Sequence, residues 1–204
     1  MPPYPRHMTK QVKIGVWGRE YLLSCHTLRE TGDIGYNTSG IEAKSVNSMD
    51  DNHYMGLALA EARKAFAIGE IPIGAVLIRD GQVIAAAHNL RETCHDATAH
   101  AEIIVIRQAC QQLQTWRLTG ATLYVTIEPC PMCAGALVNS RVSRLVYGSA
   151  DSKAGAVESI FNVVQNQALN HRMDVTAGVR EEECSALMKD FFQARRKTNA
   201  RETR

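Results

Sequence analysis

The sequence predicts an α/β protein, a three-layer α/β/α sandwich around a mixed sheet of about five strands. Two apolar runs flank Asp80-Gly81, the pattern of a hairpin with a primed turn. Segments with helical spacing then alternate with short apolar runs, which makes helices and strands succeed one another. With 204 residues, 45% of them hydrophobic and 22% charged, the chain can bury a sizeable core.

Residues 1–48 stand apart. They contain Pro2, Pro3, Pro5 and several glycines without sustained periodicity. We expect an N-terminal extension there, disordered or arising from an upstream start, with the functional domain at residues 49–204. Glu20, Glu30, Asp33 and Glu42 break the acid-poor pattern of an organelle-targeting peptide.

Patterning begins after Met49. Asp51 is expected to cap a helix that buries Tyr54, Met55, Leu57, Ala58, Ala62 and Phe66 and ends near Gly69. Ile73–Arg79 and Gln82–His88 form the hairpin. Ala99–Leu113 has helical spacing, with Ile103, Ile104, Ile106 and Ala109 available for burial. Ala121–Ile127 is a strand stopped by Glu128-Pro129, and Met132–Asn139 a helix. Strands at Arg144–Tyr147 and Met173–Thr176 and a helix from about Glu181 to Arg196 complete the set.

The formal net charge of +2 does not announce a nucleic-acid binder. Locally, Arg195, Arg196, Lys197, Arg201 and Arg204 face only Glu202. They are either a solvated helix end whose cations offset the dipole or a contact for RNA phosphates. No apolar run approaches the roughly 20 residues of a membrane span, and no secretory signal opens the chain. A cytoplasmic protein with no membrane partner is expected. Of the six cysteines, Cys25, Cys94, Cys110 and Cys184 are scattered, whereas Cys130 and Cys133 are close.

The chemistry concentrates in His100-Ala101-Glu102 and Pro129-Cys130-Pro131-Met132-Cys133. Each group falls where a helix is expected to begin. Two cysteines at this spacing can turn both sulfurs to one point, and a helix N-terminus favours the thiolate. His100 supplies a third ligand, leaving one tetrahedral position of a zinc ion for water. Glu102, in the first helical turn, can stand beside the metal without binding it and move protons. Cys-x-x-Cys alone could be redox-active, or half of a four-ligand structural site completed by Cys94, His95 or Cys110. A structural zinc module that binds RNA without catalysis would need that fourth ligand and would give Glu102 no task.

His-x-Glu followed by Pro-Cys-x-x-Cys is the signature of the zinc deaminases. Within the cytidine/deoxycytidylate deaminase superfamily, the chain resembles the bacterial tRNA-specific adenosine deaminases. The matching stretches are 71–76, 95–102 and 122–136, then Gly148, Asp151, Lys153, Gly155 and Ala156, and Asp190-Phe191-Phe192. Ala97 stands where many members have proline.

That resemblance, which runs from about Asp51 to Lys197, implies a cytidine deaminase-like fold, one Zn2+ per subunit and a homodimer. It implies hydrolytic deamination of the wobble adenosine to inosine in a tRNA anticodon loop. It makes His100, Cys130 and Cys133 the ligands, Glu102 the proton shuttle, and Asn89 and the Ala101 backbone the substrate contacts. Phe191 and Phe192 would either line the entrance or anchor the last helix. The alternative on the same fold is a deaminase of a free base or nucleotide of guanine or cytosine type.

Overall fold

The computed structural model describes the backbone of residues 12–16, 19–23 and 48–202 and the side chains of residues 51–197. The chain divides into two compact units, residues 1–44 and 45–204. In the first, β1 (Val12–Val16) and β2 (Arg19–Leu23) pair antiparallel, Val12 opposite Leu23. No element is expected there from the sequence, because five residues are too few for periodicity to stand out. The expected extension lies mostly outside the described residues, as does Arg204.

The second unit opens with α1 (Ser48–Ala67). Asp51 is not its cap: the helix begins three residues earlier, and Asp51 is buried within it. Its carboxylate accepts hydrogen bonds from Arg144 and the Tyr124 hydroxyl. Sequence position favoured a cap, but two distant partners make the carboxylate an interior anchor. Gly69, at φ 82°, ends the helical region as expected.

The hairpin forms as the sequence predicts. β3 (Gly74–Arg79) and β4 (Gln82–His88) pair with Arg79 opposite Gln82. Asp80 at φ 51° and Gly81 at φ 74° make the primed turn. A short helix absent from the expectations, α2 (Arg91–Cys94), precedes α3 (Ala101–Leu113). Then come β5 (Ala121–Ile127), α4 (Pro131–Ser140), β6 (Arg144–Ser149), β7 (Asp174–Thr176) and α5 (Glu181–Glu202).

The mixed sheet runs β4-β3-β5-β6-β7. β3 is antiparallel to both neighbours, whereas β5, β6 and β7 run parallel. Alternation along the strands separates two cores. Leu77, Leu123, Val125 and Leu145 pack with Val105 of α3 and Leu137 of α4. Val76, Ile78, Tyr124 and Val146 pack with Met55 and Leu59 of α1 and Cys184 of α5. Helices therefore cover both faces, and the architecture is the three-layer α/β/α sandwich of the cytidine deaminase-like proteins.

Gly74 matters here. A Cβ at this position would collide with the Ala58 carbonyl oxygen and the Ala62 nitrogen, so glycine lets α1 lie close on β3. The strand directions then gather three connections at one end of the sheet: the start of β3, the end of β4 and the end of β5. Strand ends are where open α/β sheets form their crevices.

Candidate active site

Two helix starts build the site. His100 occupies the cap position of α3 and Cys130 that of α4, both in extended backbone. Pro131 follows at the first helical position, where a missing N–H costs nothing. His100 makes no capping bond to its own helix, and the Cys130 sulfur faces Cys133 on the first turn of α4. Cys133 lies on the first turn of α4 and is fully buried.

His100 Nδ1 lies 3.7 Å from Cys130 Sγ and 3.6 Å from Cys133 Sγ. A tetrahedral zinc with Zn–N of about 2.05 Å and Zn–S of about 2.3 Å sets nitrogen and sulfur about 3.6 Å apart. The donors thus stand at the separations this ion requires. Their ligand atoms all fall within 4.8 Å of one another. Among the described residues, this His-Cys-Cys group has no fourth protein donor. Cys94 and His95 are exposed, and Cys110 directs its thiol to the Trp116 carbonyl.

The charges fit the same picture. A hydrogen bond from Cys133 holds the Cys130 thiol down to about 4 against its burial, and His100 adds to this. Facing that thiolate, and with burial and Glu102 adding to the effect, Cys133 is pushed up. His100 is raised, chiefly by its bond to Cys130. Thiolate character is thus concentrated on Cys130, and a bound divalent cation would draw the remaining proton from Cys133.

Glu102 is 3% exposed on the first turn of α3, and its Oε2 is the buried side-chain oxygen without a partner among the described residues. Burial raises its pKa, only partly offset by its own backbone N–H and by His100. A carboxyl poised in this way can hold a proton and release it. The structure therefore brings His100, Cys130, Cys133 and Glu102 together. Ala101, between His100 and Glu102, is buried at the first position of α3.

Asn89 arrives by another route. It follows β4, is buried, and bonds its backbone N–H to the Ile73 carbonyl. Its neighbour Leu90 bonds the Ala99 carbonyl, one residue before His100. The Asn89 side chain donates to Glu70 at 2.9 Å.

Two buried acids escaped the sequence reading. Glu70 braces Asn89. Glu128, read only as part of a strand stop, accepts the backbone N–H groups of Asp151, Val157, Glu158 and Ser159 and the Ser159 hydroxyl. The Ala156 N–H also bonds the Pro129 carbonyl, so the loop after β6 is tied to the segment carrying Cys130. Gly155 sits against the Glu128 carboxylate, where a Cβ would collide. The signal for both was an acid in an otherwise apolar stretch.

A family model of the MafB19-like deaminases matches residues 49–196. The tRNA-specific adenosine deaminase of Bacillus subtilis is 54% identical over 147 residues, 72% of this chain and 91% of that protein. This chain belongs to the tRNA-specific adenosine deaminase family. A solved structure from work on A-to-I editing by tRNA:A34 deaminases superposes with a TM-score of 0.64 at 50% identity. It covers 66% of this chain and 98% of the solved one. A guanine deaminase from Nitrosomonas europaea gives a TM-score of 0.58 at 25% identity, over 69% of this chain and 83% of its own.

Proposed function

We propose that this protein hydrolytically deaminates the wobble adenosine of a tRNA anticodon to inosine, with one Zn2+ held by His100, Cys130 and Cys133. The observation that carries this is the unpartnered Glu102 Oε2 beside a three-donor cluster at zinc spacing. The ion supplies Lewis acidity, lowering the pKa of water toward ~7.

Glu102 takes the proton of the attacking water and delivers it to N1 of the adenine. Once that oxygen has added at C6, Glu102 takes its remaining proton and passes it to the amino group, so the C–N bond breaks, ammonia leaves and C6 becomes a carbonyl. Water and adenosine thus become inosine and ammonia, with Glu102 returned to its starting state. Asn89 and the Ala101 backbone hold the nucleoside. The base must be splayed out of its loop to enter, which is cheap in single-stranded RNA.

Residues 49–204 carry this function in our reading, with residues 1–48 as an extension. The homodimer is what the resemblance implies, and the cytoplasmic setting is the expectation drawn from the sequence. Among the described residues, no helix is long and apolar enough to cross a membrane. Phe191 is buried against Phe66, whereas Phe192 is 43% exposed on the same helix as Arg195 and Arg196. Phe192 and these arginines are the parts of α5 that suit a contact with RNA.

The likeness to a guanine deaminase keeps a free base as the second reading. Incubation with an adenosine-wobble tRNA, free adenosine, guanine and cytidine separates the two. Inosine in the tRNA, with the free compounds unchanged, supports the proposal; turnover of guanine or cytidine with the tRNA untouched refutes it.

A further inference from the structure

Glu70 is 1% exposed, and both of its carboxylate oxygens are engaged. Oε2 accepts from Asn89 Nδ2 at 2.9 Å, and Oε1 accepts the Thr93 backbone N–H at 2.6 Å. Burial pushes its pKa up, but the N–H and hydroxyl of Thr93 and the N–H of Glu92 outweigh this and hold it below the usual value. An acid this deeply buried is costly unless its partners are well placed. The proposed chemistry assigns it no step.

The consequence lies in the donor and acceptor roles. An ionised carboxylate has no hydrogen to donate, so it can face only the NH2 end of an amide. The Asn89 amide, which could otherwise flip, is therefore fixed with its nitrogen on Glu70 and its Oδ1 turned away. Among the described residues, Oδ1 takes no hydrogen bond. Asn89 sits one residue before Leu90, which is tied to the segment entering His100.

We propose that Glu70 is a positioning residue for the deamination, holding the Asn89 amide in the single orientation that receives the target nucleoside. This rests on the assignment of Asn89 as a substrate contact. Glu70 touches no substrate and acts through Asn89. It also fastens the N–H of Thr93 in α2, so one carboxylate sets both the amide and the turn that follows it.

Glu70→Gln is the informative change, because it keeps the volume but offers one acceptor oxygen to two donors. If that oxygen stays on the Thr93 N–H, the new NH2 meets the Asn89 NH2 and drives the amide to flip. The expected loss is about tenfold to hundredfold in kcat/KM on tRNA. It should fall on kcat, because contacts elsewhere on the tRNA are untouched. Zinc content should remain that of the wild type.

The test is a cycle of wild type, E70Q, N89A and E70Q/N89A, with zinc content and melting temperature measured on each. The proposal expects E70Q to cost activity in the wild type and almost nothing further in N89A. Losses that multiply in the double variant would show that Glu70 acts independently of Asn89, and overturn it. Wild-type activity in E70Q would also overturn it. Wild-type activity in N89A would instead remove the substrate assignment of Asn89, a separate failure.

Should E70Q not fold, the exchanged pair E70Q/N89D restores one NH2 facing one carboxylate. Because the aspartate keeps an oxygen where Asn89 Oδ1 stood, an exchanged pair more active than N89D alone supports the proposal, and one no more active than N89D overturns it.

Discussion

Arg144 grips Asp51 with two parallel hydrogen bonds of 2.8 Å, one from each terminal nitrogen to each carboxylate oxygen. The pair joins α1 to the start of β6. Arg144 also donates to the Thr176 hydroxyl of β7, and Tyr124 of β5 donates to Asp51. Three elements meet on one carboxylate, and β7 joins them through Arg144. Removing one partner of a fully buried pair costs about 3–5 kcal/mol, and the partly exposed Arg144 places this pair toward the lower end. Asp51→Ala is therefore expected to lower the melting temperature by roughly 10 °C, with zinc content and active-site geometry retained.

The same pair gives a pH dependence. Burial pushes the Asp51 pKa up, but the bonds from Arg144 and Tyr124 prevail and hold it below its usual 3.8. Its stabilisation is complete above that value and fades as pH falls through the lower folded one. Melting curves between pH 6 and 3 should show the gap between wild type and D51A closing at the acid end.

Glu128 makes a second acid-sensitive anchor. Burial raises it, but the N–H groups of Glu158, Ser159 and Asp151 and the Ser159 hydroxyl outweigh this and hold it at about 2. Relative to its usual value of 4.5, this amounts to on the order of 3 kcal/mol of stability above that pH, lost as pH falls toward 2. Glu128→Gln should show a shallower acid limb than wild type. Amide exchange should quicken at residues 151–159 in that variant and leave β3 and β4 protected.

Local chemistry was legible in the sequence where it is self-contained. Asp80-Gly81 needs only its own backbone to make the turn, and His100, Glu102, Cys130 and Cys133 announce themselves by spacing at helix starts. What stayed hidden depends on distant partners. Asp51 looked like a cap because its real partners, Tyr124 and Arg144, lie 73 and 93 residues away. Glu70 and Glu128 show only as acids in apolar stretches, and each gains its meaning from loops that fold back on it. The paired phenylalanines of α5 could not be told apart until packing buried Phe191 and left Phe192 exposed.

The metal site predicts its own dependence on ligands. Cys133→Ser should abolish stoichiometric zinc binding and activity together. Cys94→Ser and His95→Ala should retain the metal, since both residues are exposed and outside the donor group. Metal loss in either of the latter would indicate a four-ligand structural site. A strong chelator should lower the melting temperature by mass action, and added zinc should restore it.

The most direct measurement is the inosine fraction at the wobble position of an adenosine-wobble tRNA, read by mass spectrometry for wild type and Glu102→Gln at equal zinc content. Removing a positioned proton shuttle costs about 10²–10⁴-fold in rate. Wild type should convert the tRNA while zinc-loaded E102Q leaves it as adenosine. Conversion by E102Q at the wild-type rate would contradict the account, because the buried carboxylate beside the three donors would then have no part in the chemistry.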